Sequence, residues 1–200
     1  MNPLHLEDLK RSGLSDQTII EAGIETVRPQ DIAKSLGFDH QGIQSAYRIP
    51  YPGCDGFSRY KVFYRDDYQG KKPKYLQRKD TGNHLYIPDS VRAVLKDATT
   101  PLYFTEGEKK ALKACQEGLY CIGLSGLWNW SDGNKKLIAD FNLINLKGRI
   151  VYIVPDSDWR DPNKHGYAKN LVQAVYGLAG KLKERQVRVF VVELPEGLKP

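Results

Sequence analysis

The chain has 200 residues and a formal net charge of +6, and 40% of its residues are hydrophobic. That length is one large domain or two small ones. No apolar run approaches the roughly 20 residues of a membrane span, and Met-Asn-Pro-Leu-His-Leu-Glu-Asp at the start is no signal peptide. Cys54, Cys115 and Cys121 are odd in number with no CxxC, which reads as reduced thiols and a cytoplasmic protein. The basic excess is spread evenly: 15 Lys+Arg against 13 Asp+Glu in residues 1–100, and 15 against 11 in 101–200. It permits a nucleic-acid partner without demanding one.

Residues 1–38 read as short helices. Leu4, Leu6, Leu9 and Leu14 form an apolar stripe stopped at Gly13, Ser15 caps a second helix, and Pro29-Gln30-Asp31 opens a third that ends at Gly37. Two short helices around a Ser-containing turn fit a helix-turn-helix or a helical subdomain packed on its neighbour. No helix gathers the Arg, Asn or Gln needed to read bases, which favours the second. Residues 44–87 then change period. Segments 45–51, 57–65, 74–78 and 84–87 alternate as strands of a small antiparallel sheet, separated by Pro52-Gly53-Cys54-Asp55-Gly56 and similar turn clusters.

That sheet is the most basic and aromatic stretch. Eight Lys/Arg and four Tyr lie between Arg59 and Lys79. Cations that neutralise phosphates, interleaved with rings on which bases stack, are what single-stranded DNA requires. Lys61, Arg65, Lys71, Lys72, Lys74, Tyr75 and Arg78 are the candidates, with Tyr60 and Tyr64 beside them. A solvated strand face with half-buried tyrosines explains the segment equally well. A short helix from Val91 to Asp97 and the linker Ala98-Thr99-Thr100-Pro101 put the domain boundary between 98 and 101.

From residue 101 strands and helices alternate: strand 102–105, helix 108–117, strand 119–123, helix 134–141, strand 149–154, a long helix from His165 to Arg185, and strand 187–193. This predicts βαβ units and a parallel sheet. There is neither a GxGxxG after a strand nor a GxxxxGK[ST]. Glu106 ends the first strand, and Asp156 and Asp158 follow the third. The carboxyl ends of parallel strands open on one crevice, so the three acids should converge there. Carboxylates meeting without His or Cys make a hard, oxygen-only site suited to Mg²⁺ or Mn²⁺. Singly, each acid is explained by a cap or a turn. Acids ending two strands of one sheet repel unless a cation lies between them.

Glu106-Gly107 closing one strand and Asp156-x-Asp158 closing another about fifty residues on resemble the TOPRIM domain, the Mg²⁺-binding module of bacterial-type primases, topoisomerases and some nucleases. The longer strings Tyr103-Phe-Thr-Glu-Gly-Glu-Lys-Lys-Ala111, Gly123-Leu-Ser-Gly126 and Val154-Pro-Asp-Ser-Asp-Trp159 resemble the TOPRIM-like domain of phage and plasmid primase–helicase proteins known as DUF3854. The resemblance covers residues 101–195, and more loosely the preceding hundred through Pro73-Lys-Tyr-Leu76. It implies a Rossmann-like TOPRIM α/β domain over 101–200 preceded by a smaller α+β domain over 1–98. It further implies Glu106 as acid/base or metal-linked glutamate, Asp156 and Asp158 as metal ligands, and a primase that joins nucleoside triphosphates on single-stranded DNA beside a replicative helicase. The alternatives are a metal-dependent nuclease and a non-catalytic module that binds single-stranded DNA or a helicase.

Three features depart from the bacterial primases. Lys110 stands four residues after Glu106, where those enzymes carry aspartate. No further acidic pair follows Asp158, and the chain stops at Pro200 just past the last strand, which suggests a fragment. No Cys/His cluster supplies a zinc module.

Overall fold

The computed structural model describes residues 1–162 and 171–195. The chain divides into two compact units, residues 1–82 and 83–200.

In the first unit α1 (Pro3–Arg11) is capped by the Asn2 side chain, which accepts the Leu4 N–H, and α2 (Asp16–Glu21) by Ser15, which accepts the Thr18 N–H. Between the second and third helices, where only short helices were expected, residues 25–27 form a strand, β1 (Glu25–Val27). Three residues are too few for a periodic signal, and pairing with a neighbouring strand decides them. A single turn of 3₁₀-helix at Pro29–Asp31 leads into α3 (Ile32–Leu36), which Gly37 ends in the left-handed conformation at φ 78°. The strands β2 (Ile43–Pro50), β3 (Ser58–Tyr64) and β4 (Tyr75–Gln77) complete an antiparallel sheet in the order β1-β2-β3-β4. Alternation along β3 sends Tyr60 and Val62 into a core with Val27, Ile32, Leu36 and Ala46. On the opposite face Phe63 stacks on His5 of α1 at 4.9 Å. His5 is fully buried and held at both ring nitrogens, by Thr26 Oγ1 at 2.9 Å and Ser45 Oγ at 3.0 Å.

The second unit begins earlier than the linker at 98–101 suggested. Its first strand, β5 (Leu85–Tyr86), was expected in the antiparallel sheet of the first unit. It pairs antiparallel with β7 (Cys121–Leu124), in the register Leu85↔Leu124 and Tyr86↔Gly123. Val91 of α4 (Asp89–Arg92) and Leu95 are buried in the same core as Leu102 and Phe104. Burial of these apolar side chains, not chain composition, sets the boundary.

The remaining strands β6 (Leu102–Glu106), β8 (Ile150–Val154) and β9 (Arg188–Val191) give a five-stranded sheet in the order β5-β7-β6-β8-β9. All pairs except β5–β7 are parallel. Helices α5 (Glu108–Gln116) and α6 (Leu171–Glu184) follow β6 and precede β9. The architecture is therefore α/β with a mostly parallel sheet in one unit and an antiparallel sheet in the other, as the change of period near residue 101 predicts. α6 buries Ala174, Val175, Leu178, Ala179 and Leu182, at the spacing of one helix face. The expected beginning of this helix at His165 lies outside the described residues.

The helix expected over 134–141 is not formed. Ser131 and Leu137 make an isolated antiparallel bridge, and a 3₁₀ segment follows at Ala139–Leu143. Asp132 explains the change. Its Oδ1 accepts the backbone N–H groups of Asn134 at 2.8 Å and Lys136 at 3.2 Å, a local turn that competes with helix. Arg149, at the entrance to β8, is fully buried and its Nη2 donates to the carbonyls of Val94, Leu95 and Asp97. The three cysteines are free thiols. Among the described residues no helix is long and apolar enough to cross a membrane.

Candidate active site

Strands β6 and β8 are neighbours, paired from Leu102↔Val151 to Thr105↔Val154. Glu106 is one residue past the last pair and Asp156 two past it. Adjacent strands lie roughly 4.8 Å apart, so the register brings both carboxylates to the same carboxyl-terminal edge. Asp158 follows in the turn after β8. That turn closes through Trp159 N–H to the Asp156 carbonyl at 3.1 Å and Asp161 N–H to the Asp158 carbonyl at 3.0 Å. Glu106, Asp156 and Asp158 are all half-buried.

Gly107 makes the turn after Glu106 possible. Its φ of 94° and ψ of 152° belong to a region essentially closed to side-chain-bearing residues. From there α5 starts at once, with Glu108 buried in its first turn, where an acidic side chain complements the helix dipole. The Gly107 N–H donates to the Leu124 carbonyl at 2.7 Å, which ties the turn to β7. Across it stands Gly123, where an added Cβ would lie 3.0 Å from the Gly107 carbonyl oxygen and 3.2 Å from Tyr86 Cβ. Burial raises the phenol pKa of Tyr86 above its ordinary value, reinforced by the nearby Glu108 charge.

The residue that sequence reasoning noted without giving it a role is Lys110. On the first turn of α5, its Nζ donates to Asp156 Oδ1 in an ion pair. The ammonium does for Asp156 what a bound cation would do: it offsets charge that would otherwise repel Glu106 and Asp158. Among the described residues, the three carboxylates do not gather as a trio with their oxygens within 4.8 Å of one another. The candidate donors are nonetheless carboxylates alone, and one of them, Asp156, already engages a cation. Those residues fit a hard divalent ion such as Mg²⁺.

Other parts of the conspicuous strings are structural. Trp130 is buried and its indole N–H donates to the Ala174 carbonyl at 3.0 Å. Trp159 is buried, with the Arg160 guanidinium 4.5 Å from its ring centroid. Asn129 Nδ2 donates to Ser125 Oγ at 2.9 Å within the loop after β7.

In the first unit, the candidate nucleic-acid residues divide. Lys61 and Tyr75 are cross-strand partners on β3 and β4. The Lys61 ammonium and the Arg59 guanidinium each lie 5.2 Å from the Tyr75 ring centroid, so this ring carries two cations. Lys71, Lys72 and Lys74 are exposed on the β3–β4 connection, and Arg65 is exposed beside Asp67. Arg78 leans its aliphatic stem over Gly37, where an added Cβ would meet Arg78 Cγ at 3.3 Å. It lines a cavity of about 390 Å³ with Arg28, Lys34 and Ser35. Tyr60 is a core residue and no stacking platform, because alternation turns it inward with Val62. Tyr64 stacks on Tyr68 at 5.5 Å and donates to the Pro73 carbonyl. Burial raises its pKa, with Tyr68 adding to the effect.

One unit carries a mostly parallel sheet with acids at its carboxyl edge, and the other an antiparallel sheet rich in cations. Residues 91–199 match the family described as "Domain of unknown function (DUF3854)", more than half of the chain, and the protein belongs to that family. No curated protein matches the sequence.

Among solved structures, the chain is similar to the Aquifex aeolicus primase (zinc binding and RNA polymerase domains). The identity is 17% and the TM-score 0.61, covering 98% of this chain and 51% of that one. It is similar to the DnaG catalytic core at 17% identity and TM-score 0.62, covering 99% and 66%. It is also similar to the DnaG primase catalytic domain bound to ssDNA at 17% identity and TM-score 0.61, covering 98% and 66%. At this identity the likeness is one of fold. The chain spans about half to two thirds of the length of these structures.

Proposed function

We propose that the protein is a primase-type nucleotidyltransferase, or the catalytic part of one, that joins nucleotides on a single-stranded DNA template. The observation that carries this reading is the convergence of Glu106 and Asp156 at the carboxyl ends of the adjacent parallel strands β6 and β8. The fold likeness to primase catalytic cores over nearly the whole chain supports it.

On this reading residues 83–200 are a TOPRIM-type unit. A bound Mg²⁺ or Mn²⁺ would supply charge stabilisation to the triphosphate and activate the attacking hydroxyl. Asp156 and Asp158 would hold such an ion through carboxylate oxygens. Glu106, at the strand end, accepts the proton that the attacking hydroxyl gives up or completes the ligand set. The hydroxyl oxygen forms its bond to the α-phosphorus, the α–β bridging bond breaks, and pyrophosphate leaves. Lys61, Arg65, Lys71, Lys72, Lys74 and Arg78 neutralise template phosphates, and Tyr75, flanked by two cations, stacks on a base. One of the similar structures is a primase domain bound to ssDNA, which agrees with this template role. A replicative helicase, the cytoplasm and the replication of a mobile element are the setting this reading implies.

A second reading is favoured by the Lys110–Asp156 ion pair. The ammonium could hold the acids as a purely structural cation, leaving a module that binds single-stranded DNA without chemistry. Labelled nucleoside triphosphates on a single-stranded template with Mg²⁺ separate the readings. Primer products that vanish in Asp156→Asn support the primase. Shortened template indicates a nuclease, and retarded but unaltered template the non-catalytic module.

A further inference from the structure

We propose that a cavity in the first unit binds one nucleotide, gripped by its phosphate. The cavity holds about 390 Å³, at the small end of the roughly 300–1,000 Å³ of small-molecule sites. Its walls come from three stretches: the 3₁₀ turn with α3, the start of β3, and the turn after β4.

Cations converge there from two of these walls. Arg28 and Lys34 come from the helical wall and Arg78 from the turn after β4, against the single acid Asp31, so the lining carries a net charge of +2. The Arg28 Nε donates to Asp31 Oδ2 at 2.6 Å, which orients the guanidinium and leaves both terminal amino groups to a ligand. Among the described residues Lys34 and Arg78 make no ion pair. The turn that carries Arg78 is itself fixed: Thr81 Oγ1 donates to the Arg78 carbonyl at 2.6 Å and Gln77 Nε2 to the Gly82 carbonyl at 2.6 Å. Cations held around one concavity suit a phosphate, and each arginine fork matches two of its oxygens.

The inner wall is of another kind. It is made by Phe57, Ser58 and Tyr60, all buried. Aromatic and hydroxyl groups beneath a cationic rim suit a sugar and base attached to the phosphate. Alternation along β3 puts Tyr60 on this face with the core of α3, and Lys61, which reaches the Tyr75 ring, on the other. The cavity is therefore separate from the Tyr75 face. It also uses none of the carboxylates, so the proposal stands apart from the primase reading. Two sources carry the required chemistry, a free nucleoside phosphate and one nucleotide of a bound strand.

The test is calorimetry on the whole chain in EDTA, which withholds the divalent ion that a triphosphate needs beside carboxylates. ATP, inorganic phosphate and a short oligothymidylate are titrated into wild type, Arg28→Ala, Lys34→Ala, Arg78→Ala and Arg78→Lys. Lys183→Ala, in α6, is the control of equal charge. All these side chains are exposed, and circular dichroism confirms folding. Each of the three alanine variants of the cavity should weaken nucleotide binding by at least about tenfold, the effect of losing a charge-assisted hydrogen bond. Arg78→Lys should fall between, because it keeps the charge and loses the fork. Lys183→Ala should stay within about twofold, since distant surface charges are screened. Inorganic phosphate should bind at least about tenfold more weakly than the nucleotide, having no apolar surface to bury.

ATP binding with this dependence on Arg28 and Lys34 identifies a free nucleotide as the ligand. Oligothymidylate binding with the same dependence, without ATP binding, identifies a nucleotide of a strand, and the dependence in both shows that the cavity takes either. Binding that ignores Arg28 and Lys34, phosphate bound as tightly as the nucleotide, or no binding of ATP or oligothymidylate overturns the proposal. Binding as expected on a wild type that makes no primers with Mg²⁺ supports the proposal and counts against the primase reading alone.

Discussion

Arg149 offers the sharpest test of what holds the second unit together. Its side chain is fully buried at the start of β8, and Nη2 reaches the Val94 and Leu95 carbonyls at 3.0 Å each as well as that of Asp97. The guanidinium thus ties the segment after α4 to the edge of the parallel sheet. Among the described residues Nε and Nη1 find no hydrogen-bond partner, so burial of the charge is only partly compensated. Burial accordingly lowers its pKa, and the Asp97 charge opposes the shift. Arg149→Met keeps most of the volume and removes the charge. It loses the charge-assisted bonds, and part of that loss is offset because no charge is buried. The expected cost is about 2 kcal/mol. Arg149→Ala adds a cavity of several methylene groups and should cost about 4 kcal/mol in all. For a unit of this size, those losses lower the melting temperature by about 8 and 15 °C. Urea unfolding followed by far-ultraviolet circular dichroism measures both. A loss under about 1 kcal/mol for Arg149→Ala would refute the argument, because it would mean that neither the carbonyl bonds nor the packing contributes.

Gly123→Ala places a methyl 3.0 Å from the Gly107 carbonyl oxygen. It should destabilise the protein by about 1–3 kcal/mol through overpacking and weaken Mn²⁺ binding by displacing the Glu106 turn, both measurable by melting and titration. Asp156→Asn removes an ion pair whose side chains are 35% and 38% exposed, so melting without metal should fall by no more than about 1 kcal/mol. The rise in melting temperature that Mg²⁺ gives the wild type should be absent in this variant; equal curves for the wild type with and without metal would argue against a formed site. His5 is buried, and desolvation lowers its pKa from 6.5 against an opposing pull from Asp8. The unfolded chain therefore binds the proton at a higher pH than the native one, and stability is complete above 6.5 and lost as pH falls through the native value. Unfolding of wild type and His5→Gln from pH 7.5 to 5 should show the decline only in the wild type. Changing Lys71, Lys72 and Lys74 together to Glu should weaken single-stranded DNA binding and flatten its salt dependence. Unchanged affinity in a filter-binding titration would move the template path elsewhere.

What the sequence determined by itself was local. The helix caps Asn2, Ser15 and Gly37, the period-2 alternation of β3, and the apolar runs of β6 and β8 are written in neighbouring residues, and each specifies its own element. Glu106-Gly107 was legible as a strand end because the turn needs a residue without a side chain. Pairing partners were not legible. Leu85–Tyr86 reads as a strand anywhere, and only the register with β7 and the apolar core beneath it assign it to the parallel sheet. The 134–141 segment carries helix-forming residues, yet the Asp132 turn and the Ser131–Leu137 bridge override them. Tyr60 could not be separated from Tyr75 by composition; the packed sheet buries Tyr60 in the core and leaves Tyr75 half-buried on β4 with Lys61 and Arg59 over its ring. Lys110 could be read as a departure from a pattern, but that its ammonium reaches Asp156, 46 residues away, follows from α5 and β8 meeting at one sheet edge. Local propensity is a property of a few consecutive residues, whereas charge neutralisation across strands depends on the packed sheet.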